Sequence, residues 1–582
     1  MTFRAWSVSV GAVAVLAAGG CGKPPVVGPV APTVREAENP WAKAASALRK
    51  ETDAGTCRRV LADLSTAATT AGGAILTATT DADRKMVQTA LALTDDEAQE
   101  IAGAGFTGLD AAHLAECFYL RDAAATLDAG GLPAAAKAER ALAWVGRQVQ
   151  LVPMGTAVPA PPSYTLRRGS GSGLDRAVVF AALCRQLDLD AFLVGPPAAN
   201  AWTPADPPKG QSPKEPFWAV AVRDGTTLFL FDPMRALPVP GPTPGKPATL
   251  AEAKANPDLL KPWATDGKGP LPTAEEVKAS QLFPAVPLSA VSARMATFQQ
   301  SAGGELGVRA AVDWAAVAKA VAACGAAVGP WAPPQFPFTP ARSLREFVPV
   351  ADGGTADPAR SPLLAEFYLR QLPVMTDAPP GTERGLAERY GAVTRGAYAR
   401  AVIETTPRER LQRGQYDDAA QLLVKVRDEY GALAARAGGD PARAAAVGDW
   451  LAQTNDLFKR LSVARLDIGT ADGQTAVRQV EAEIQKKWAD TRLVETMIAD
   501  VVAEPVLHEA TYLLALTKHE QAERAQLAAG KGAAQADAAK KAWAGASGWW
   551  DRYLPAAPAQ EKSFPGRAAH AQALAARAAA PK

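Results

Sequence analysis

Hydrophobic side chains between residues 41 and 150 recur every three or four positions, which is the spacing of one face of a helix. The recurring positions include Ala44, Leu48, Cys57, Val60, Leu61 and Leu64. Residues 113–127 and 140–149 form the two strongest amphipathic segments, and Asp110 stands where a helix N-cap is expected. The pattern therefore predicts a helical region over residues 41–150.

The pattern changes after residue 151. Residues 174–187 are typical of a buried helix, and the apolar run at 191–195 is typical of a buried strand. Two further strands, 217–222 and 227–231, are joined by Arg223-Asp224-Gly225, in which Asp-Gly is a hairpin signal. Asp232-Pro233 closes the second of these strands. We therefore expect a small antiparallel-sheet domain over residues 151–260.

The remainder of the chain is predominantly helical. Residues 261–400 form a mixed connecting region, with helices predicted at 273–280 and 308–323 and a proline-rich linker at 330–340. Residues 401–582 form a helical region, with helices predicted at 408–430, 509–527, 538–553 and 567–580. Helices around one small antiparallel sheet define an α+β fold class.

The first 40 residues are typical of an exported bacterial lipoprotein. Arg4 precedes a short apolar run at residues 7–18, which is too short to span a membrane and suits a signal peptide. The small residues Ala18-Gly19-Gly20 then precede Cys21, and the segment resembles a lipobox, in which the cysteine is lipidated before cleavage. A Pro- and Gly-rich segment follows, as expected of a tether. The sequence predicts a signal peptide over 1–20, a lipidated tether over 21–40, and attachment to the cell envelope through Cys21.

Composition and charge exclude some partners. The 582 residues carry 62 basic and 60 acidic side chains, a net charge of +2. That balance gives neither the basic face expected of a nucleic-acid-binding protein nor a polybasic membrane patch. We expect no nucleic acid, no metal ion and no cofactor.

The cysteines show no metal-binding or redox spacing, because no two of them form a CxxC pair. Cys57 and Cys117 lie in one helical region and could form a disulfide in an oxidising compartment. The alternative is that Cys57, Cys117, Cys184 and Cys324 are all small buried hydrophobic residues.

A segment of about a fifth of the chain resembles the transglutaminase-like superfamily, which shares the papain-type Cys-His-Asp architecture. The resemblance rests on the order of several motifs: Trp144-Val145, Arg168-Gly169, Gly173-Leu174-Asp175-Arg176-Ala177, Leu189-Asp190-Ala191, Phe217-Trp218 and Leu230-Phe231-Asp232-Pro233. The family places its nucleophile at the start of the helix, its base two residues before the tryptophan, and its third residue at the Asp-Pro strand end.

At two of these three positions, this chain has a residue that cannot perform the chemistry of the family. Gly173 stands at the nucleophile position and Pro216 at the base position, and only Asp232 matches the family. Glycine has no thiol to activate, and proline cannot accept a proton. No histidine occurs between residues 114 and 507. The resemblance therefore implies a domain that is inactive as a thiol enzyme. The run from Gly169 to Gly173 could cradle an anion, but a tight turn that leads into the helix is the simpler interpretation.

The C-terminal region offers a second, weaker resemblance. Arg413-Gly414-Gln415-Tyr416 through Leu423 resembles half of a tetratricopeptide repeat, although the 34-residue period of that family is not maintained. Repeats of this kind form concave surfaces that bind partners, whereas a plain helical bundle would not imply one.

Three hypotheses follow. The first is an envelope lipoprotein with an inactive transglutaminase-like domain that binds or scaffolds a peptide or protein partner. The second is an envelope amide or ester hydrolase or transferase with a relocated site, which would need Cys184, Ser172 or Asp232 to face a cleft. The third is a purely structural envelope protein.

Overall fold

The structure is a computed structural model. It describes residues 39–70, 80–90, 93–152, 161–201, 215–263, 271–329, 407–437, 504–530, 532–557 and 566–579, with a few isolated positions besides. The predicted signal peptide, Cys21 and the proline-rich linker at 330–340 lie outside the described residues. No helix within the described ranges has the length and apolar character needed to cross a membrane.

The predicted N-terminal helical region is confirmed. Its helices are α1 Pro40–Lys50, α2 Ala54–Thr70, α3 Asp81–Ala90, α4 Asp95–Ala102, α5 Gly108–Ala125 and α6 Ala134–Gln148. The predicted N-cap of α5 was displaced by three residues. Thr107 is the cap, and Asp110 completes a capping box by accepting a hydrogen bond from the Thr107 N–H at 2.7 Å.

A five-stranded antiparallel sheet follows two helices, α7 Pro162–Arg168 and α8 Gly173–Gln186. Its strands are β3 Ala191–Gly195, β4 Ala219–Asp224, β5 Thr227–Asp232, β6 Leu237–Pro238 and β7 Gln281–Pro284, in the order β6-β5-β4-β3-β7. The two-residue strands β1 Gln150–Leu151 and β2 Ser170–Gly171 pair in parallel and join the end of α6 to the start of α8.

Both faces of this sheet are buried, which explains why its strands are almost continuously apolar. Leu193 and Val220 pack into a cluster with α6 and α8. Phe192 and Val194 point to the opposite face, where they pack against the short helices α9 Leu250–Ala255 and α10 Ala274–Ala279. The alternation of side chains along a strand produces these two layers.

The predicted hairpin is present, with a shifted turn. Strands β4 and β5 pair antiparallel with Asp224 opposite Thr227, so the two turn residues are Gly225 and Thr226 rather than Asp224 and Gly225. Gly225 has φ +59°, and a glycine with positive φ at the first position suits a two-residue hairpin turn.

One predicted helix is shorter than expected. The helix predicted over residues 308–323 is confined to α12 Trp314–Ala323, and α11 Ala293–Phe298 precedes it. Asp313 is the N-cap of α12, accepting a hydrogen bond from the Ala316 N–H at 3.0 Å. The segment directly before α12 is not helical, and its Val312 N–H donates to the carbonyl of Ala290 at 2.7 Å.

The C-terminal part is helical, as predicted. Its helices are α13 at residues 407–412, α14 Tyr416–Ala437, α15 Glu504–Ala529, α16 Ala533–Ala556 and α17 Arg567–Ala579. The single helix predicted at 408–430 is therefore wrong: the chain turns at Gly414, whose φ is +78°. These helices pack around one cluster that includes Tyr512, Trp550 and Tyr553. Whether they form true repeats stays a prediction.

Two ion pairs, one buried and one partly exposed, join the C-terminal helices to the earlier elements. Arg147 of α6 donates to Glu520 of α15 through Nε at 2.7 Å and Nη2 at 3.1 Å, and Gln148 Nε2 donates to the same carboxylate at 3.0 Å. Arg167 of α7 pairs with Glu409 of α13 at 2.5 Å. The α+β fold class, with its antiparallel sheet between helical N- and C-terminal parts, is confirmed.

Candidate functional site

Helix α8 begins with a capping box directly after the glycine-serine run. Ser172 is the N-cap: its hydroxyl accepts from the Asp175 N–H at 3.1 Å, and the Asp175 carboxylate accepts from the Ser172 N–H at 2.9 Å. Gly169 ends α7 with a positive φ of 70°. The run therefore serves as a helix end and a cap, and Gly173, the first residue of α8, keeps its N–H for an acceptor outside the helix.

That acceptor is Glu215, a residue that the sequence analysis missed. The Gly173 N–H donates to Glu215 Oε1 at 2.7 Å. A helix N-terminus attracts negative charge, because its first N–H groups have no partners within the helix. In the transglutaminase-like interpretation this is where the nucleophilic thiol would stand. A carboxyl group from a distant segment of the chain occupies the place instead.

The surroundings of Gly173 leave no room for a side chain. A Cβ atom at this position would lie 2.5 Å from Met234 Cγ, 2.9 Å from Glu215 Oε2 and 3.0 Å from Glu215 Oε1. Real Cβ contacts are not this short, so both neighbours would have to move. A cysteine could not be accommodated here without displacing Glu215 and Met234.

Pro216 lies next to Glu215 and is held against the edge of the sheet. It is buried, and its carbonyl oxygen lies so close to Gly195 that a Cβ on that glycine would meet it at 2.7 Å. The N–H of Trp218 donates to the carbonyl of Val194 at 3.0 Å, which continues the pairing of β4 with β3. The base position of the resemblance is thus placed beside the nucleophile position.

Asp232 ends β5 and is fully engaged. Its Oδ1 accepts from the N–H groups of Met234 at 2.7 Å and Arg235 at 3.0 Å, and its Oδ2 accepts from Arg235 Nη1 at 2.7 Å. Burial raises the pKa of Asp232, and Arg235 acts in the opposite direction. The guanidinium of Arg235 in turn lies 5.0 Å from the ring centre of Trp263. Asp232 therefore shapes the turn after β5.

Arg176 ties these elements together from inside helix α8. Its Nε donates to the carbonyl of Val149 at 2.8 Å, and its Nη1 donates to the carbonyl of Met234 at 3.0 Å. Burial lowers its pKa to about 10, and the negative charges of Asp232 and Glu215 oppose that effect. The start of α8, the end of α6 and the turn after β5 are thereby fixed to one another.

A cavity of about 140 Å³ opens between these elements. Pro216 and Asp232 line it, and Gly173 lies directly behind Glu215 and Met234, which line it too. The walls carry the aromatic rings of Phe217, Trp218 and Trp263. The structure thus gathers all three positions of the resemblance around one cavity.

Glu215 is the chemically unusual group in this cavity. Burial raises its pKa to about 8, against the hydrogen bonds from the Gly173 and Leu174 N–H groups, while the charges of Asp175 and Asp232 raise it further. Of these two N–H groups, that of Gly173 forms a hydrogen bond of ordinary geometry, to Oε1, whereas Oε2 is buried without such a partner among the described residues. The raised pKa favours the protonated form of the carboxyl group at neutral pH.

The residues proposed for a relocated site are not brought together. Cys184 is fully buried in the core cluster on the α8 side of the sheet and does not line the cavity, and burial raises the pKa of its thiol. Ser172 is held as the N-cap. Of the three residues, Asp232 alone lines the cavity.

Cys57 and Cys117, for which the sequence left a disulfide open, form none in the structure. Cys57 and Cys117 are both free thiols, buried in one cluster with Phe118 and Phe298. Burial raises the pKa of Cys57 to about 12 and raises that of Cys117 as well. In this structure they behave as small hydrophobic side chains, the alternative that the sequence had left open.

None of the histidines lines the cavity. His113 is buried on α5, where its Nε2 is 2.9 Å from the carbonyl oxygen of Ala310, and His519 accepts from Trp550 Nε1 at 3.4 Å. Burial lowers the pKa of His113 to about 4 and of His570 to about 3. Among the residues that line the cavity there is neither a histidine nor a cysteine. Within the described ranges, no group of three or more His, Cys, Asp or Glu side chains is arranged to hold a metal ion.

Comparison with known proteins identified no relative of this chain. No family model, no curated protein and no solved structure matches the chain.

Proposed function

We propose that this chain is a lipid-anchored envelope protein whose transglutaminase-like domain is catalytically inactive and binds a peptide or protein partner. The observation that carries the proposal is the occupation of the α8 N-terminus by the Glu215 carboxyl. Both that group and Met234 fill the space that a nucleophile at Gly173 would need. Pro216 and Asp232 line one cavity, and Gly173 lies behind the Glu215 and Met234 side chains in its wall. A cavity with aromatic walls is suited to binding, which supports the proposal.

The alternative, a hydrolase or transferase with a relocated site, has less support. Three carboxyl groups line the cavity, those of Glu215, Asp232 and Glu276. Asp232 is paired with Arg235 and accepts from two backbone N–H groups, and Glu276 accepts from the Thr273 N–H in the capping box of α10. Nucleophilic catalysis needs a base within hydrogen-bond reach of the nucleophile, and no such pair lines this cavity among the described residues.

Catalytic inactivity is tested with the purified full chain. Peptide hydrolysis and amine incorporation are assayed in parallel with labelling by a thiol-reactive probe, for the wild type and for Cys184→Ala. We expect no turnover by either protein. Turnover that Cys184→Ala abolishes would establish a relocated thiol site and contradict the proposal, whereas labelling without turnover would show an accessible thiol alone.

Partner binding is tested by cross-linking and affinity purification from the cell envelope. Trp263→Ala removes an aromatic wall of the cavity, and Leu237→Ala removes an exposed side chain of β6 as a control. We expect one envelope peptide or protein to be recovered with the wild type and with Leu237→Ala, but not with Trp263→Ala. Equal recovery with all three would place the binding surface elsewhere.

The lipid anchor is tested at Cys21, which lies outside the described residues. Metabolic labelling with a fatty-acid probe should mark the wild type and leave Cys21→Ala unlabelled, because the thiol is the proposed attachment point. The acyl chains of a lipoprotein together hold it stably at the membrane. Cys21→Ala would lack these chains, so this variant should also leave the membrane fraction. Equal labelling of the two proteins would refute the anchor.

A further inference from the structure

One carboxyl group in the cavity, that of Glu215, has incomplete hydrogen bonding within the described part of the chain. Asp232 is paired with Arg235, and the Glu276 carboxylate accepts from the N–H of Thr273 at 2.7 Å in the capping box of α10. Glu215 accepts from the Gly173 N–H through Oε1 at 2.7 Å, and among the described residues its Oε2 has no partner at ordinary hydrogen-bond geometry. Burial makes ionisation of this carboxyl group costly, and a cation that lies beside it in the cavity offsets that cost.

We propose that the cavity binds an aliphatic chain that ends in a protonated amine, with the ammonium group donating to the carboxylate of Glu215. This inference rests on the proposed binding function of the cavity and names the chemistry of its ligand. An ammonium group supplies both the missing donor and an opposite charge, which together give a stronger hydrogen bond than a neutral donor.

The charges around Glu215 favour a cation. Asp175 on α8 and Asp232 at the end of β5 both raise its pKa, and Glu276 of α10 lines the same cavity. Three cations lie near these groups, and each is already engaged. Arg235 pairs with Asp232, Arg168 lies 3.4 Å from the Asp175 carboxylate, and Arg176 is bound by backbone carbonyls. With Glu215 ionised, the cavity lining carries three carboxylates and one guanidinium, so an incoming ammonium meets net negative charge.

The walls of the cavity indicate the chemistry of the part of the ligand that lies beyond its ammonium group. Beyond Glu215 the lining is mostly apolar and includes Leu260, Leu271, Pro272 and Met234. The rings of Phe217, Trp218 and Trp263 add faces that attract cations as well as alkyl groups. An unbranched alkyl chain fits such walls, whereas a second charged group would be desolvated without a partner.

Binding is therefore coupled to proton release. In the unliganded protein the pKa of Glu215 is about 8, so below that pH the group must lose its proton before it can pair with an ammonium ion. The affinity for an amine should rise by up to about tenfold per pH unit below pH 8 and level off above it. At pH 7 each bound amine should displace about one proton.

The experiment is isothermal titration of the purified full chain with pentylamine, from pH 6 to pH 9, in pairs of buffers with different ionisation enthalpies. Pentan-1-ol, which has the same chain and a neutral end group, is the control probe. We expect amine affinity to rise with pH, proton release that disappears above pH 8, and weaker, pH-independent binding of the alcohol. The wild-type profile alone carries this result, so it does not depend on the folding of a variant.

Two variants sharpen the test. Glu215→Gln should lower amine affinity at pH 8.5 at least tenfold and remove the pH dependence. Glu275→Gln removes the same charge from an exposed neighbouring position on α10 and should change affinity less than twofold. No amine binding at pH 8.5, affinity that falls with rising pH, or equal affinity for amine and alcohol would each overturn the inference.

These failures are distinct from failure of the proposed function. Loss of the ammonium preference leaves the catalytic inactivity and the partner recovery standing, because neither measurement depends on the charge of the ligand. Turnover in the hydrolysis or amine-incorporation assays would instead remove the proposed function, whatever pentylamine does.

Discussion

Gly173 and Gly108 occupy equivalent positions, yet their surroundings differ. Each is the first residue of a helix, and each follows a hydroxyl N-cap whose capping box is closed by an aspartate three residues on. A Cβ at Gly108 would meet nothing within 4 Å, whereas a Cβ at Gly173 would meet Met234 Cγ at 2.5 Å. Alanine substitutions at these two glycines therefore separate the effect of losing a glycine at a helix start from the effect of crowding Met234 and Glu215.

Gly173→Ala should destabilise the protein by about 1–3 kcal/mol, because the added methyl group forces Met234 and Glu215 to move. Gly108→Ala should be neutral or slightly stabilising, because alanine favours the helix and the space is open. Urea denaturation of both variants checks this. Equal stability of the two would mean that the wall around Gly173 rearranges freely, and would weaken the argument that a nucleophile cannot fit.

The ionisation of Glu215 predicts a pH dependence of stability. Its pKa is about 8 in the folded protein and about 4.3 in an unfolded chain, so between these values the folded state binds the extra proton. Stability contributed by the protonated group is complete below pH 4.3 and is lost as the pH rises to 8. The slope is at most about 1.4 kcal/mol per pH unit.

The measurement compares urea midpoints of the wild type and Glu215→Gln from pH 5 to pH 9. Groups that titrate in both proteins cancel in the difference. We expect the variant to gain stability relative to the wild type as the pH rises, with the difference constant above pH 8. A pH-independent difference would show that Glu215 titrates near its ordinary pKa.

At the scale of elements, one buried arginine holds three segments of the chain together. Arg294 on α11 donates to the two carboxylate oxygens of Asp110 at 2.6 and 3.2 Å, and its Nη1 donates to the carbonyls of Glu100 at 2.6 Å and Gly103 at 3.1 Å. Both side chains of the ion pair are almost completely buried. The arrangement ties α11 to the end of α4 and to the capping box of α5.

Arg294→Met should destabilise the protein by about 3–5 kcal/mol, because it leaves the Asp110 carboxylate buried without its cation. Lys261→Met is the control: Lys261 pairs with Asp258 at 2.7 Å on an exposed surface and should contribute less than about 1 kcal/mol. Thermal unfolding followed by circular dichroism distinguishes them. Similar losses for the two variants would contradict the special role of the buried pair.

At the scale of the whole molecule, α15 is attached to the sheet-containing part through Glu520. This carboxylate is nearly completely buried and accepts hydrogen bonds from Arg147 and from Gln148. Since α6 also supplies buried residues to the core on one face of the sheet, the ion pair connects the C-terminal helices to the wall of the domain that carries the cavity.

Glu520→Ala should loosen the C-terminal helices, at a cost of up to about 3–5 kcal/mol, because the buried Arg147 would keep only Glu523, at 4.0 Å, of the two carboxylates it now pairs with. Hydrogen exchange should become faster in α15–α17 and remain unchanged in β3 and β4. Lys541→Ala, an exposed position on α16, should leave both unchanged. Faster exchange throughout the chain would instead indicate that the helices and the sheet unfold together.

The sequence predicted most helices and the central strands of this protein. Some of its errors were local, such as the helix break at Gly414, and others depended on a group far along the chain. Hydrophobic spacing located α8, β3 and the β4–β5 hairpin, because burial imposes periods of 3.6 and 2 on any sequence that forms these elements. It extended α12 too far towards the N-terminus, because it could not show that Ala290 accepts from the Val312 N–H.

The residues of the candidate site were likewise predicted in part from the sequence. The order of the motifs alone identified Gly173, Pro216 and Asp232, and the structure places them around one cavity. Glu215 was missed, although it directly precedes Pro216, because an acidic residue in a loop carries no pattern of its own. That adjacency was the one signal in the sequence that could have drawn attention to it.

What the sequence determined by itself was most of the helices, the central strands β3, β4 and β5, the α+β class, and the presence of Gly173 and Pro216, which have neither a thiol nor a base. These depend on local periodicity and on residue identity, both of which can be read along the chain. Only the tertiary structure decided that a carboxyl group lies at the α8 N-terminus. The 2.7 Å contact between Gly173 and Glu215 spans 42 positions, and such a contact is set by packing rather than by any local preference.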